Sequence, residues 1–572
     1  MSVPDWSHIE LRLMLEVPLR DGVCLNGTLY VPRELRQPSP CIVAMTPYES
    51  DHLHDRGVYF ATRGFPFLAV DVRGRGNSEG TFRPMLQEAR DGYDVVEWAA
   101  RQPYCNGNVG MYGGSYLGYV QWATASECPP HLSTIVPTAA CYLGVDLPGR
   151  SNIVSADCVR WLALVAGRTN HWKLYSDTSL WSAAYRRWYA SGRPFRGVDE
   201  DLGHPSKVFQ EWVSHPAVDA YWDSYNPTPD QLARLTGPVL TITGIYDGNQ
   251  PGALAHYRQH MRHASDAERD QHYLVIGPWN HANCALPSAE FDGLEVGQAS
   301  VIDMYGLHAD WYGWTMRGGP KPALLQKRVA YYVTGAERWR YAETLDGVTE
   351  RWVPYYLYSQ GNPTDIFAAG WLTELAPHAG SRASDHYIYD PSDFEHVTAA
   401  SATDATGRIV DQRLVHTAVG KQLIYHSAPF EADTEISGFF KLVAWISMDQ
   451  PDTDFGVRVY EVDNNGRNVL LATDFLRARY RQSSHTAALI RTQEPLCYEF
   501  VRFTFTSRLV KKGNRLRLVF GPTLSIDEQR NYNSGGVVAD ESIKDARAVR
   551  VELLHDASHQ SALYVPLGRV AR

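Results

Sequence analysis

No apolar run in the 572 residues approaches the roughly 20 needed to cross a bilayer, so a membrane-spanning helix is not expected. The opening, Met1-Ser-Val-Pro-Asp-Trp-Ser-His-Ile-Glu10, has no basic stretch leading into an apolar one, which argues against a secretory leader. Positive charge is not in excess: 54 Lys and Arg stand against 64 Asp and Glu, a formal net charge of −10. Nucleic acid and anionic membrane surfaces are therefore poor partners. Cysteine is sparse and scattered, at Cys24, Cys41, Cys105, Cys128, Cys141, Cys158, Cys284 and Cys497, with no C-x-x-C pair. That excludes a zinc or disulfide framework and suits a reducing compartment, so a cytoplasmic protein is expected. No metal-spaced cluster is visible, and no cofactor is called for. Internal repeats and low-complexity tracts are also missing.

What is present is a globular composition, 44% hydrophobic and 21% charged. The length predicts two or three domains. Aromatics make up 12%, with 16 Trp and 33 Tyr, most of them for packing and a few available to line a pocket.

The chain is organised around Gly110-Met-Tyr-Gly-Gly-Ser-Tyr-Leu-Gly118. An apolar run, Val109 to Tyr112, leads into Gly113 and Gly114, then Ser115, then a helix-compatible run from Tyr116 to Ala125. A strand that turns sharply into a helix with serine at the turn is a nucleophile elbow. The general pattern is G-x-S-x-G, but here the last glycine falls one place late, at Gly118. The bland alternative is a capping serine at a strand–turn–helix junction.

The strand and helix signals alternate from Cys41 to Ala140, which predicts a parallel sheet with crossover helices. An opening hairpin pairs Leu11–Val17 with Leu25–Val31 around Arg20-Asp-Gly22, and Leu11, Leu13, Leu15 and Val17 are expected to share a face. Helical spacing over 87–101 places Ala89, Tyr93, Val96 and Ala100 on one face. The glycine-rich loop Arg73-Gly-Arg-Gly-Asn-Ser-Glu-Gly80 contains G-x-G but not G-x-G-x-x-G, so a nucleotide reading is rejected. From about 141 to 235 the pattern turns Trp-rich and helical, as an inserted cap over an active site would be. The sheet resumes at 236 with a strand at Pro238–Gly244 and a last one at His272–Ile276, and it closes with a helix before 320. From 321 to 572 alternating runs dominate, predicting an all-β sandwich or jelly roll. The divisions are thus a first core part over 1–140, a helical cap over 141–235, a second core part over 236–320 and a β domain over 321–572.

Acyl transfer needs a nucleophile, a base and a group that orients the base. Asp247 and His281 follow Ser115 in the order Ser, Asp, His, each just past a predicted core strand. Open α/β sheets place their ligands at those carboxyl ends.

With these residues in place, the chain resembles the cocaine esterase / glutaryl acylase (CocE/NonD) branch of the X-prolyl dipeptidyl peptidase superfamily of α/β-hydrolases. The matching stretches are Thr46-Pro-Tyr48, Asp71 to Gly80, Gly107 to Gly118, Tyr246-Asp-Gly248, Gly277-Pro-Trp-Asn-His281, Asp411-Gln-Arg413 and Asn533-Ser-Gly-Gly536. They span most of the chain, and the family's elbow accounts for the displaced Gly118. The resemblance implies an α/β-hydrolase core with an inserted helical cap and a C-terminal jelly roll. It implies Ser115 as nucleophile, His281 as base and Asp247 as orienter, with an oxyanion hole made by the Tyr116 N–H and the Tyr48 hydroxyl. A phenol with a pKa near 10 stays protonated at neutral pH and can donate to an oxyanion. Trp161 looks like the counterpart of an aromatic that contacts the acyl group, and Asn249 falls where relatives carry an apolar aromatic. A polar acyl group held between the Trp161 face and the Asn249 amide is therefore expected. The alternative is that Asn249 only caps the following helix. The α-amino ester hydrolases of the superfamily hold an ammonium with carboxylates, some just after the catalytic Asp. Here Gly248, Asn249 and Gln250 are neutral, which disfavours a free α-amino substrate.

The expected function is a serine hydrolase, an esterase or amidase or a dipeptidyl-peptidase-like acyl hydrolase, acting on a small acylated molecule through an acyl-enzyme. An acyltransferase on the same intermediate competes with it, as does a carbohydrate- or partner-binding protein with a vestigial site. A homodimer is compatible with any of these.

Overall fold

Long apolar strands need cover on both faces, and the chain supplies it with helices between them. The computed structural model describes residues 6–378, 380, 384–400 and 409–569; Met1–Asp5 of the opening lie outside the described residues. The first part runs β1 (Ile9–Pro18), β2 (Cys24–Pro32), β3 (Ser39–Thr46), α1 (His54–Ala61), β4 (Phe67–Asp71), α2 (Glu88–Ala100), β5 (Cys105–Gly114), α3 (Tyr116–Ser126) and β6 (Leu132–Thr138). A two-residue hairpin, β7 (Gly149–Arg150) with β8 (Ile153–Val154), then opens the inserted segment. Its helices are α4 (Asp157–Leu164), α5 (Trp172–Ser176), α6 (Thr178–Ser191), α7 (Val198–Asp201), α8 (Lys207–Val213), α9 (Ala220–Asp223) and α10 (Pro229–Arg234). The insertion is thus helical apart from that hairpin. The core resumes with β9 (Val239–Gly244), α11 (Gln250–His263), α12 (Asp266–Arg269) and β10 (His272–Gly277). After the small hairpin β11 (Glu290–Phe291) and β12 (Leu294–Glu295) come α13 (Met304–Arg317), β13 (Val329–Val333) and β14 (Arg338–Ala342).

These strands form one sheet in the order β1-β2-β4-β3-β5-β6-β9-β10-β13-β14. Every pairing from β4 to β13 is parallel, and the pairings at both edges are antiparallel. β4, β9 and β10 are buried at every position. This is the parallel sheet with crossover helices that the alternating signals predict, and the α/β-hydrolase core that the family resemblance implies.

Three local expectations are corrected. β10 is not the last strand of this sheet: β13 pairs parallel with it and β14 follows, so the sheet extends well past residue 320. Alternation alone does not tell which sheet a run such as Val329–Thr334 will join. In β1 the register shifts between Arg12 and Leu15, with Met14 at φ 57°, so Leu11 and Leu13 face solvent while Val17 is buried. A bulge of one residue is enough to turn the side chains over. In α2 the buried face is rotated from the expected one. Val96 and Ala100 are buried as expected, but the face also carries Glu88, Asp91, Val95 and Ala99, while Ala89 and Tyr93 are half-buried. Asp91 is buried because Arg73 pairs with it at 2.7 Å.

The C-terminal part is β-rich. A 13-strand sheet runs from Thr349–Tyr358 to Ala562–Gly568, and short helices occur at Glu395–Ala400 and Arg413–Thr417. Residues 500–506, which also alternate, are divided between strands Leu496–Phe500 and Thr506–Val510. The second of these meets the first sheet, where Thr334 N donates to Ser507 O at 3.1 Å and Leu509 N to Thr334 O at 2.8 Å. Among the described residues no helix is long and apolar enough to cross a membrane. All eight cysteines are free thiols.

Behind the sheet lies a stack of buried histidines. His260 of α11 faces His272 of β10 at 4.8 Å, and the ring of His256, also on α11, lies parallel to Trp122 at 5.1 Å. His256 Nε2 donates to Cys141 O at 3.0 Å. Burial pushes His256 down to about 3 and His260 to about 4. Both are therefore neutral in the folded chain, whereas in the unfolded chain they protonate near pH 6.5. Their contribution to stability is complete above about pH 6.5 and is lost as the pH falls toward the folded values. At about 1.4 kcal/mol per pKa unit, each histidine costs on the order of 2 kcal/mol at pH 5. Urea unfolding at pH 7.5 and pH 5 tests this. His256→Phe, which keeps the stack on Trp122, is expected to lose less stability over that interval than the parent chain.

Candidate active site

The elbow at the end of β5 is strained as the pattern requires. Ser115 has φ 60° and ψ −123°, and α3 starts at the next residue. Its backbone is pinned: Ser115 N donates to Thr138 O at 2.9 Å, and Ser115 O accepts from the Gly118 and Tyr119 N–H groups. Gly113, at φ +137°, has Leu117 folded across it, so that an added Cβ would lie 2.4 Å from the Leu117 Cβ. A Cβ at Gly118 would lie 2.8 Å from Thr138 O. The helix therefore meets β6 at position 118 and not at 117, which is the physical reason the last glycine comes late.

Asp247 sits in the turn after β9 and is buried. Its Oδ1 accepts from His281 Nδ1 at 2.7 Å and from Asn249 N at 3.0 Å, and its Oδ2 accepts from the Thr243 hydroxyl at 3.2 Å. His281 follows β10 on a loop shaped by Trp279, whose buried indole lies over Gly277 and donates to Ser300 O at 3.1 Å. The His281 side chain is 44% accessible while that of Asp247 is fully covered. The imidazole therefore reaches the cleft with its charge partner behind it. Burial works against the imidazolium, but the charge and hydrogen bond of Asp247, with the charge of Asp146, outweigh it and raise the His281 pKa.

Tyr48 follows β3. Its hydroxyl accepts a 2.8 Å hydrogen bond from the Trp161 indole. Burial raises the phenol pKa and outweighs the opposing influence of Trp161, so the group keeps its proton at any working pH. Tyr116 opens α3, where the first N–H groups of a helix have no intrahelical acceptor. Its ring stacks with Trp161 at 5.9 Å and 19°, and its hydroxyl donates to Glu88 while accepting from Met85 N at 3.0 Å. Burial pushes Glu88 up to about 7.

The structure thus gathers Ser115, Tyr48, Tyr116 and Trp161 into one contact network and joins Asp247 to His281. Among the described residues the Ser115 hydroxyl makes no direct hydrogen bond to His281; such bonds often tighten only around substrate. Asn249 departs from expectation. It holds the N-cap position of α11 without capping it, and its amide donates to Asp146 Oδ2 at 3.2 Å. Half-buried Asp146 takes this donor together with the N–H groups of Tyr142 and Gly252, so the amide is already engaged before any acyl group is bound. Burial pushes Asp146 up to about 7.

Several supporting residues escape sequence reasoning. Gln121, fully buried, accepts from Val136 N at 2.7 Å and donates to Gly113 O at 2.9 Å, clipping the strand ends under the elbow. Gln250 exchanges hydrogen bonds with both backbone groups of Phe505 in the β-rich part, at 2.7 and 3.0 Å. Polar residues satisfied in the interior leave no periodic trace; their only signal is an amide or acid inside an otherwise apolar stretch. Among the described residues no cluster of three or more His, Cys, Asp or Glu is placed to hold a metal ion.

Residues 21–283 match the X-Pro dipeptidyl-peptidase (S15 family) profile, and residues 325–520 match that of the X-Pro dipeptidyl-peptidase C-terminal non-catalytic domain. The cocaine esterase of Rhodococcus sp. (strain MB1 Bresler) is 26% identical over 577 residues, covering 96% of this chain and 97% of that protein. Among solved structures, an α-amino acid ester hydrolase superposes with a TM-score of 0.84 at 19% identity, over 99% of this chain and 98% of its own. An aminopeptidase from the marine sediment archaeon Thaumarchaeota archaeon superposes with a TM-score of 0.83 at 20% identity, over 100% and 98%. At those identities the two superpositions speak for the fold. With both profiles matched in order and a relative aligned almost end to end, the chain is a serine-hydrolase-type enzyme built of a peptidase S15 domain and an X-Pro dipeptidyl-peptidase C-terminal domain, and a homologue of cocaine esterase.

Proposed function

We propose that the enzyme hydrolyses an ester or amide of a small acylated molecule through an acyl-enzyme on Ser115. The observation that carries this reading is the 2.7 Å Asp247–His281 pair past the carboxyl ends of β9 and β10, in the same parallel sheet whose β5 ends in the strained Ser115. His281 Nε2 removes the Ser115 proton as Oγ attacks the substrate carbonyl. The tetrahedral oxyanion is met by the Tyr116 N–H and the Tyr48 O–H. Trp161 already donates to the Tyr48 oxygen, which leaves the phenolic proton free to point at the oxyanion. The imidazolium returns its proton to the leaving alkoxide or amine, and the carbonyl–leaving-group bond breaks. Water, deprotonated by His281, then attacks the acyl-enzyme and releases the acid and Ser115.

The substrate class this reading favours lacks a free α-ammonium. Of the three neutral residues after Asp247, Asn249 is committed to Asp146 and Gln250 to Phe505. Asp146 itself is held by three donors, and its rise to about 7 weakens its charge at neutral pH.

Ser115→Ala is expected to lower kcat on a chromogenic ester by about 10⁴–10⁶ with the fold intact, and a fluorophosphonate should label Ser115 alone. Near-normal turnover by this variant would remove the reading.

The acid limb of the kcat/KM profile follows from His281. Catalysis needs the neutral imidazole, and the folded pKa is raised, so activity falls at a higher pH than an unperturbed imidazole would give. Profiles from pH 5 to 9 should show that limb, and Asp247→Asn should move it to lower pH while cutting the rate by about 10⁴. A limb that stays in place would take the base role from His281.

Paired assays with an α-amino ester and its N-acetyl counterpart test the substrate class. The acetylated ester is expected to have the higher kcat/KM, by about tenfold or more. A tenfold preference for the free amine would reverse this part of the reading.

A further inference from the structure

The glycine-rich loop Arg73 to Gly80 does not cradle phosphate; it delivers a guanidinium inward. Gly74 has φ +72°, and a Cβ there would lie 2.3 Å from Phe82 N; Gly76 has φ +50°, and its Cβ would lie 2.1 Å from Asp71 Oδ2. Only glycine fits on either side of Arg75, whose side chain is fully buried.

Its hydrogen bonds are these. Nε donates to Pro47 O at 2.8 Å, Nη1 to Val165 O at 2.7 Å and to Gly167 O, and Nη2 to Asn170 Oδ1 at 2.6 Å. All four acceptors are neutral. Among the described residues no carboxylate pairs directly with Arg75; Glu49 and Asp71 act only through space. Burying a cation costs several kcal/mol unless its donors are satisfied. Here Val165 is the C-cap of α4, so its carbonyl lies at the negative end of that helix.

The positions of the acceptors define what Arg75 does. Pro47 immediately precedes Tyr48. Val165 and Gly167 immediately follow α4, which carries Trp161 one turn earlier. The 2.8 Å bond from the Trp161 indole to the Tyr48 hydroxyl therefore has both of its ends anchored by one planar fork. Two further bonds run alongside: Gly76 N donates to Arg168 O at 2.7 Å, and Asn170 N to Glu49 Oε1 at 2.7 Å. From this geometry we infer that Arg75 is a positioning residue that fixes the Tyr48 hydroxyl against the oxyanion by locking the Tyr48 backbone to the end of the Trp161 helix. The inference rests on Tyr48 being an oxyanion donor.

A double-mutant cycle tests it, with kcat and KM measured on one chromogenic ester. Tyr48→Phe is expected to lower kcat by about 10²–10³. Arg75→Lys keeps the charge but offers three donors from one point, which cannot span both segments. It is expected to lower kcat ten- to a hundredfold with KM changed less than about threefold, and circular dichroism and the thermal midpoint report whether the fold is kept. In the Tyr48→Phe background the same substitution should cost less than about threefold, because the geometry it disturbs no longer matters. If Arg75→Lys does not fold, Asn170→Ala removes one of the four acceptors and takes its place in the cycle. A full multiplicative loss in the Tyr48→Phe background would overturn the inference and leave the oxyanion role standing. An unchanged kcat in Tyr48→Phe alone would remove that role, and the inference with it.

Discussion

A serine at φ 60° and ψ −123° stays there only if its surroundings leave it no alternative. Such a backbone costs about 1–3 kcal/mol, more than one ordinary hydrogen bond returns. The surroundings answer with several constraints at once. The Ser115 N–H is bonded to β6, its carbonyl is claimed twice by α3, and Gln121 ties β5 to β6 just below. Glu88, reaching from α2, takes the Tyr116 hydroxyl, which fixes the first residue of α3. Gly113 and the displaced Gly118 belong to the same device, since they let helix and strand approach within van der Waals contact. The strained turn is thus the local expression of how α2, α3, β5 and β6 pack.

The β-rich part belongs to this economy and is not an appendage. Gln250, three residues past Asp247, pairs with the Phe505 backbone as a neighbouring strand would. The inserted helical segment is held from the same side. Ala156 N donates to Asp527 O at 2.6 Å, Gln529 N to Val154 O at 2.8 Å, and the fully buried Arg477 donates to Asn152 O at 2.9 Å. The loop that carries Asp247 and the helix that carries Trp161 are both tied to one C-terminal scaffold. A change in that scaffold therefore reaches the two halves of the site together, although none of its residues touches Ser115.

The parts of this arrangement legible in the sequence are those with a repeating signal. Strands buried on both faces read as unbroken apolar runs, and their carboxyl ends pick out Asp247 and His281 without further help. The elbow is legible because strain demands glycine. The failures have one cause. Glu88 and Asp91 sit on the buried face of α2 because Tyr116 and Arg73 satisfy them, and this rotates the apparent face. Asn249 turns to Asp146, a residue thirty-one places past Ser115 with no pattern around it. Arg75 was visible only as part of a motif rejected for another purpose. In each case a polar group is inside because of a partner distant in sequence, and no local window contains that partner. Likewise, Val329–Val333 alternates as any strand does, and only tertiary packing assigns it to the first sheet.

These buried groups also shape how the site responds to protons. Asp146 helps to hold the His281 imidazolium, yet burial brings its own titration to about 7. Protons entering the two groups therefore compete. Once Asp146 is protonated, one of the charges favouring the imidazolium is gone, and His281 stays neutral to lower pH than it would with both carboxylates charged. The opposite holds on the way up, where the ionising Asp146 raises the affinity of its neighbour for the proton it is losing. Two groups that bind protons in competition spread the titration over a wider range than a single group has. The apparent acidity of the site thus belongs to the Asp146–Asp247–His281 set. The Asn249 amide, by stabilising the Asp146 carboxylate, takes part in setting it without reaching the reacting atoms.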